Sequence, residues 1–469
     1  MNTSDLALDL SRLAAPLPIW HAVVDVDGWR KTAMTAARAE QRLVALWGQQ
    51  APHAERLTIC AAYALADGLL WIDLPLPDGL TTYPDLSALF PFAGRMQRAT
   101  ADLLGIRPDG DTDDRPWLDH GAWGMRAPLG ARPPAARRDP GAYDFLPAKG
   151  EGLHQIPVGP VHAGIIEPGH FRFNVNGETV ARLEERLGYV HKGIDGLLTD
   201  TDFERAARVV ARISGDSVVA YSFAFARAVE EALQVEVPPR AKILRGIMAE
   251  LERIANHLGD IGAICNDASF SIIHAYCGIF RERVLAATDR AFGHRLMMDR
   301  VVPGGVTADL DKNGIVAIRT LLDTINRHFP ELIELYDNTT SLQDRTVGTG
   351  ILSSQLAMQY GAGGFIGRAS GGTRDMRKMP GYAPYDSLAF EVPTRREGDV
   401  DARVWVRIDE VKQSLRLIEQ ILDRLPDGPL RTDRVGSGLR KPTVEGLALA
   451  EGFRGDVLAW VRICSDGKV

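Results

Sequence analysis

Cysteine is scarce: Cys60, Cys265, Cys277 and Cys464 are the four in 469 residues, and no two of them stand as CxxC. That argues against an ordinary zinc site and against an iron–sulfur cluster held by this chain alone. It fits a reducing, cytosolic compartment. Basic charge is not in excess, since 54 Lys and Arg face 61 Asp and Glu for a net charge of −7. No overall positive field therefore invites nucleic acid. Nowhere do about 18 apolar residues follow one another, so no transmembrane helix is expected; work at a membrane would need other chains as anchors. The opening MNTSDLALDLSRL puts acids before the first basic residue, the reverse of a secretory signal. Walker A and GxGxxG motifs are absent too. Gly361-Ala-Gly-Gly364 and Ser370-Gly-Gly372 are glycine-rich at the wrong spacing, which leaves a self-standing nucleotide site unsupported.

What is present is an ordinary globular balance, 45% hydrophobic and 25% charged, which excludes collagen-like and disordered classes. At roughly 100–200 residues per domain, two or three domains are expected. Residues 1–125 read as a small α/β domain, with helices over Thr32–Trp47 and Leu86–Gly105 and strands over Leu57–Ala64 and Gly68–Leu76 around a turn at Ala66-Asp67-Gly68. Residues 126–150, rich in Pro, Gly, Ala and Arg, read as a linker. Residues 151–469 open on a hairpin or short sheet at Gly159–Asn176, where Phe171, Phe173 and Val175 alternate with polar residues. They then turn mostly helical, so the fold class is α+β. One helix starts at Pro238-Pro239 with the stripe Leu244, Ile247, Met248, Leu251, Ile254, Ala255 and Leu258, and Gly259 and Gly262 mark its end. Another covers Ala402–Leu425, its 4-3 stripe (Val404, Ile408, Val411, Leu415, Ile418, Leu422, Leu425) predicting packing against other helices.

Three groups of residues could carry chemistry. Glu250, Arg253 and His257 share one helix face; the bland reading is a solvated face, the sharper one a buried proton or structural network. His162 and His170 lie on a Gly/Pro-rich loop, either as surface histidines or as ligands of a metal or polar head group. Ser214-Gly-Asp216-Ser217 precedes a helix that Ser217 could cap, and no adjacent base makes either serine a nucleophile.

Together these blocks resemble a known family. Gly159-Pro-Val-His162, Gly169-His170-Phe-Arg-Phe173, Tyr189-Val-His191-Lys-Gly193, Pro238-Pro-Arg240 and Glu252-Arg253-Ile-Ala-Asn-His257 lead the match. Val302-Pro-Gly-Gly-Val306, Gly367-Arg368-Ala-Ser-Gly371, Tyr385-Asp386 and Val406–Arg416 follow in the same order. They are similar to the large subunit of membrane-bound, energy-converting nickel–iron hydrogenases (formate hydrogenlyase and hydrogenase-4 type) and to the quinone-site core subunit of complex I. Tyr83–Pro91, Asp102–Ile106 and Asp119–Trp123 resemble the smaller complex I core subunit, with Gln97 where the family usually has Glu.

The resemblance implies a core subunit of a membrane-associated, complex I-like oxidoreductase that forms a quinone-type acceptor cavity beside an iron–sulfur small subunit. It implies integral membrane, ion-translocating partners and a peripheral place on the cytoplasmic side of the inner membrane. His162, His170 and Asp216 would be the catalytic residues, and His191, Arg253, His257 and Arg368 would bind the cofactor. The chain alone would hold no cofactor and no metal; quinone would enter the shared cavity, and an iron–sulfur cluster and NAD(H) or another donor would sit on partner subunits. Ser214 and Ser217 stand where the hydrogenases place a CxxC, and the family's second CxxC would follow beyond Val469, so either the sequence is truncated or that pair never existed. Two alternatives accompany this reading, a degenerate hydrogenase-4 subunit acting as a scaffold and an active hydrogenase component.

Overall fold

The computed structural model describes residues 8–13, 18–50, 56–65, 68–110, 113, 115–121, 123–130, 145–162, 167–432, 435 and 443–469. The turn expected at residues 66–67 and the centre of the expected linker, 131–144, lie outside the described residues. The chain forms two compact units, one built chiefly from Trp20–Gly196 and the other from Leu197–Val469.

The first unit begins with β1 (Ser11–Arg12), β2 (Ile19–Val23), α1 (Val26–Arg38), β3 (Leu43–Gln50), β4 (Leu57–Leu65) and β5 (Gly68–Pro75). The strands make one sheet in the order β1-β2-β5-β4-β3. Helix α1 starts where the Asp25 side chain accepts the Gly28 N–H at 2.7 Å. It buries Trp29, Ala33 and Ala36, one per turn, in the core that this sheet shares. The helix expected over Thr32–Trp47 ends early: Glu40 takes a left-handed φ of 52°, and Leu43 onward is strand. The misreading has a physical cause. A bulge between Leu43 and Ala45 shifts the register of β3 on β4, so its buried residues Leu43, Leu46 and Gln49 recur every third position and imitate a helix.

A short parallel pair, β6 (Thr82–Pro84) and β7 (Arg107–Asp109), flanks α2 (Ala93–Leu104). This helix is shorter than the expected Leu86–Gly105, since Leu86–Phe92 forms turns ahead of it and Gly105 closes it at φ 74°. Gln97 is fully buried here; its carbonyl accepts the Leu86 N–H at 2.9 Å and its amide donates to Asp85 at 2.7 Å. A glutamate here would set a second carboxylate against Asp85. The unit closes with an antiparallel sheet of β8 (Leu153–Val158), β9 (His170–Asn176) and β10 (Thr179–Arg186), β9 in the middle. The alternating residues of β9 were legible; its partners lie on either side of the expected hairpin.

Helix α3 (Ile194–Leu198) joins the units. The second contains α4 (Phe203–Val210), α5 (Val218–Leu233), α6 (Pro239–Asp267), α7 (Ser271–Phe292), the bridge pair β11 (Val301–Val302) and β12 (Gly305–Val306), α8 (Lys312–Asn338), α9 (Thr340–Thr346), α10 (Ser354–Gln359), α11 (Gly364–Ala369), α12 (Val400–Asp423) and the hairpin β13 (Val444–Gly452) and β14 (Gly455–Ile463). Helix α6 is buried on nearly every side. It runs through Gly259 and Gly262, where an end was expected. A Cβ on Gly262 would lie 3.0 Å from the Cys277 Cβ and 3.1 Å from the His274 Cα of α7; this glycine permits close helix packing. Gly446 does the same for β13 against α5, since a Cβ there would lie 2.1 Å from the Ala228 carbonyl oxygen. Cys265 and Cys277 are buried, as expected of free cysteine in a core. Among the described residues no helix is long and apolar enough to cross a membrane, and no group of three or more His, Cys, Asp or Glu is placed to hold a metal ion.

Candidate functional site

The first candidate is the turn Ser214–Ser217 between α4 and α5. Ser214 and Ser217 donate their hydroxyls to Asp216 Oδ1 at 2.6 and 2.9 Å. Arg454, at the tip of the β13–β14 hairpin, reaches Asp216 Oδ2 at 2.5 Å. Asn256 on α6 donates to the Asp216 backbone carbonyl at 2.6 Å. Burial works to raise the Asp216 carboxyl, but Ser214, Arg454 and Ser217 outweigh it and hold the group below its ordinary value. Ser217 makes no side-chain cap. Glu252 of α6 takes that role, accepting the Val219 and Ala220 N–H groups at 2.6 and 3.0 Å, while burial pushes its own carboxyl up to about 8.

Arg454 is about half exposed, at 56%, so Arg454→Ala is expected to cost under about 1 kcal/mol. The sign follows from the lowered Asp216 carboxyl. The stability its ionised form contributes is present above the ordinary carboxylate range and lost as pH falls through the folded value. The difference between wild type and Arg454→Ala should therefore shrink below about pH 4, as read by thermal denaturation across pH.

The second candidate is a charged core. The line Glu250, Arg253 and His257 is buried, at 1% exposure or less, so the solvated-face reading is set aside in favour of a network between packed helices. Glu410 of α12 accepts from His257 Nε2 at 2.6 Å and from Arg368 Nε at 2.7 Å, with Arg253 Nη1 at 3.7 Å. Glu250 accepts from Arg377 at 3.0 Å, the Tyr385 hydroxyl at 2.7 Å and the Ser414 hydroxyl at 2.6 Å. Arg377 also donates to Asp375 at 2.6 Å. Glu451 of β13 accepts from Arg368 Nη1 at 3.0 Å and from the Met376 N–H at 3.1 Å. Burial works against the charge of Glu410, yet Arg368 and His257 hold its carboxyl well below the usual range. Burial also lowers the His257 imidazole despite Glu410, and its Nε2 donates to the Glu410 carboxylate.

The structure thus brings Arg253, His257 and Arg368 together around one carboxylate. Asp216 has its own partners at the turn. The three remaining residues belong to the first unit. His170 is 9% exposed; its Nδ1 lies 3.0 Å from the Gly159 carbonyl and its Nε2 3.4 Å from Arg172. Its ring meets Phe145 at 5.1 Å, and the Arg172 and Arg186 guanidiniums lie over Phe145 as well. A neutral His170 therefore spends its one N–H on the chain. His162 is half-buried on the loop that follows β8. The His191 ring packs on Trp123 at 5.2 Å.

Sequence reasoning missed Glu252, Asp375, Arg377, Glu410, Glu451 and Arg454. One signal was available for Glu410: with Ser414 it sits on the same buried face as the apolar stripe of α12, where a charge needs a partner.

Two family profiles match this chain: residues 22–138 match "Respiratory-chain NADH dehydrogenase, 30 Kd subunit" and residues 267–454 match "Respiratory-chain NADH dehydrogenase, 49 Kd subunit". Formate hydrogenlyase subunit 5 of Escherichia coli (strain K12) is 31% identical over 81% of this chain and 68% of its own length. The carbon monoxide-induced hydrogenase of Rhodospirillum rubrum is 33% identical over 66% and 85%. The NADH-quinone oxidoreductase C/D protein of Bacteroides thetaiotaomicron is 31% identical over 66% and 58%. A solved structure of the membrane-bound sulfane sulfur reductase, an archaeal respiratory membrane complex, superimposes with a TM-score of 0.62 at 26% identity, covering 66% of this chain and 85% of the other. These matches define the class, an oxidoreductase subunit of mixed helical and sheet architecture. In particular, the chain belongs to the family that unites the fused 30 and 49 kDa-type subunits of complex I with the formate hydrogenlyase and hydrogenase-4 large subunits.

Proposed function

We propose that this chain is the core subunit of a membrane-associated, complex I-like oxidoreductase, forming a quinone-type acceptor cavity beside an iron–sulfur partner and holding no nickel. The structural neighbour is an archaeal respiratory membrane complex, and both matching family profiles are of respiratory-chain NADH dehydrogenase subunits, which supports this setting. The observation that carries the nickel-free part is the Ser214–Ser217 turn. Where the hydrogenase pattern needs thiolates, two serine hydroxyls donate to Asp216. A hydroxyl is a hard donor that stays protonated near neutral pH, whereas a nickel–iron centre calls for soft thiolate ligands. The residues present do not fit that group.

In this reading His162 and His170 lie on the acceptor loop and Asp216 supplies a counter-charge. His170, with Nδ1–H committed to Gly159, would donate from Nε2 only when protonated. Arg253, His257 and Arg368 act through the charged core. NAD(H) or another donor, and the iron–sulfur cluster, bind partner subunits, and the chain lies peripherally on the cytoplasmic side of the inner membrane. One observation favours the scaffold alternative: both Asp216 oxygens are already engaged by Ser214, Ser217 and Arg454.

Affinity purification of the tagged chain from its native membrane tests the assembly. An iron–sulfur subunit and integral membrane proteins should co-purify in fixed ratio. Recovery of the chain as a monomer free of both would contradict the proposal.

A further inference from the structure

The proposed function rests on the turn at Asp216 and leaves the charge balance of the core unused. Three guanidiniums, those of Arg253, Arg368 and Arg377, face four carboxyl groups, those of Glu250, Asp375, Glu410 and Glu451. All seven are 4% exposed or less. Three guanidiniums match three of the carboxylates one for one; the fourth has no guanidinium of its own, in a medium that penalises an uncompensated anion heavily.

Hydrogen bonding shows which carboxyl is the fourth. Glu250 accepts from Arg377, Tyr385 and Ser414. Asp375 accepts from Arg377 Nε, Nη2 and backbone N–H. Glu410 accepts from His257 and Arg368 Nε. Among the described residues, the Glu451 carboxyl accepts from only the second edge of Arg368, a guanidinium already committed to Glu410, and the neutral Met376 N–H. We propose that Glu451 is the group through which this buried core takes up and releases one proton.

The other charged and titratable groups near it agree. Asp375 and Asp456 push its carboxyl the same way as burial, against Arg368 and Arg253, and the group is raised to about 7. Tyr382 accepts the Glu451 backbone N–H at 2.9 Å and sits under the Arg227 guanidinium. Glu250, Asp375 and Glu410 are held low by their arginines. The step is a proton transfer alone: the carboxyl O–H bond breaks, its electron pair stays on Glu451 as carboxylate, and no electron moves between groups.

The site also has a route outward. Arg253 donates to the Glu451 and Gly452 carbonyls at 2.8 and 3.1 Å. Arg454, at the same hairpin tip, holds Asp216. The hairpin that carries Glu451 thus also carries the Arg454 contact to Asp216; the proton site does not rest on the proposed function.

The test is an infrared titration of the assembled membrane complex between about pH 5 and 9. The expected result is a protonated-carboxyl band lost with a midpoint near 7, absent from Glu451→Gln and retained in Glu231→Gln. Glu231 and Glu252, both raised by burial to about 8, supply separate components. An assembled Glu451→Gln complex with the wild-type titration would overturn the proposal. Should that variant fail to assemble, Glu451→Asp carries the test, because shortening the side chain must displace the midpoint; an unchanged midpoint would overturn it. A Glu451 band that titrates in complexes whose turnover ignores Asp216 would support the proton site while removing the acceptor reading.

Discussion

Glu410→Ala will destabilise the second unit by ~3–5 kcal/mol, the scale for breaking a buried ion pair from one side. The side chain lost is the common acceptor of His257 and Arg368, and its removal leaves Arg368 and Arg253 facing each other with too little compensation. Glu410→Gln should recover part of the loss through its amide oxygen. Pairing Glu410→Leu with Arg368→Met should cost much less than the two single changes added together, since partners in one network are not additive. Acid should have a parallel effect. Glu250, Asp375 and Glu410 are all held below the ordinary carboxylate range. The stability they contribute is present above that range and lost as pH falls through their folded values. Retention of the chain in the membrane complex and its thermal midpoint measure both effects. A Glu410→Ala chain as stable as wild type would refute the assigned network.

Asp216→Asn separates the acceptor reading from the scaffold reading. The amide oxygen can still accept from Ser214 and Ser217, and only a half-exposed ion pair to Arg454 is lost, so the complex should assemble normally. Acceptor-dependent turnover is expected to fall by ~10²-fold or more, the scale of removing a positioned proton-handling or counter-charge group. A scaffold would show unchanged turnover in the same preparation. The steady-state rate of purified complex, normalised to the amount of this chain, decides between them.

The helices α6 and α12 and the strands β4 and β5 were legible because each follows one period along most of its length. Strand β3 was not, because its bulge gave buried residues a spacing of three. The end of α6 was misplaced because Gly259 and Gly262 look like terminators, whereas Gly262 serves packing against α7. The charged core was half legible. Glu250, Arg253 and His257 show as one face, but a solvated face has the same pattern; what distinguishes them is partners far away in sequence. Glu410 lies 153 residues from His257, and Arg377 lies 127 residues from Glu250. No local pattern encodes such pairings. The Ser214–Ser217 segment was legible as a polar turn ahead of a helix, but its place in a ligand pattern came only through family resemblance. Its engagement by Asp216 and Arg454 depends on a hairpin 238 residues further on.

The central claim, an acceptor-type site that holds no nickel, is tested most directly by metal analysis of the complete complex isolated from nickel-replete cells that also express hydrogenase maturation genes. With Ser214 and Ser217 committed to Asp216, the prediction is iron without stoichiometric nickel. One nickel per copy of this chain, or hydrogen evolution that depends on it, would contradict the account.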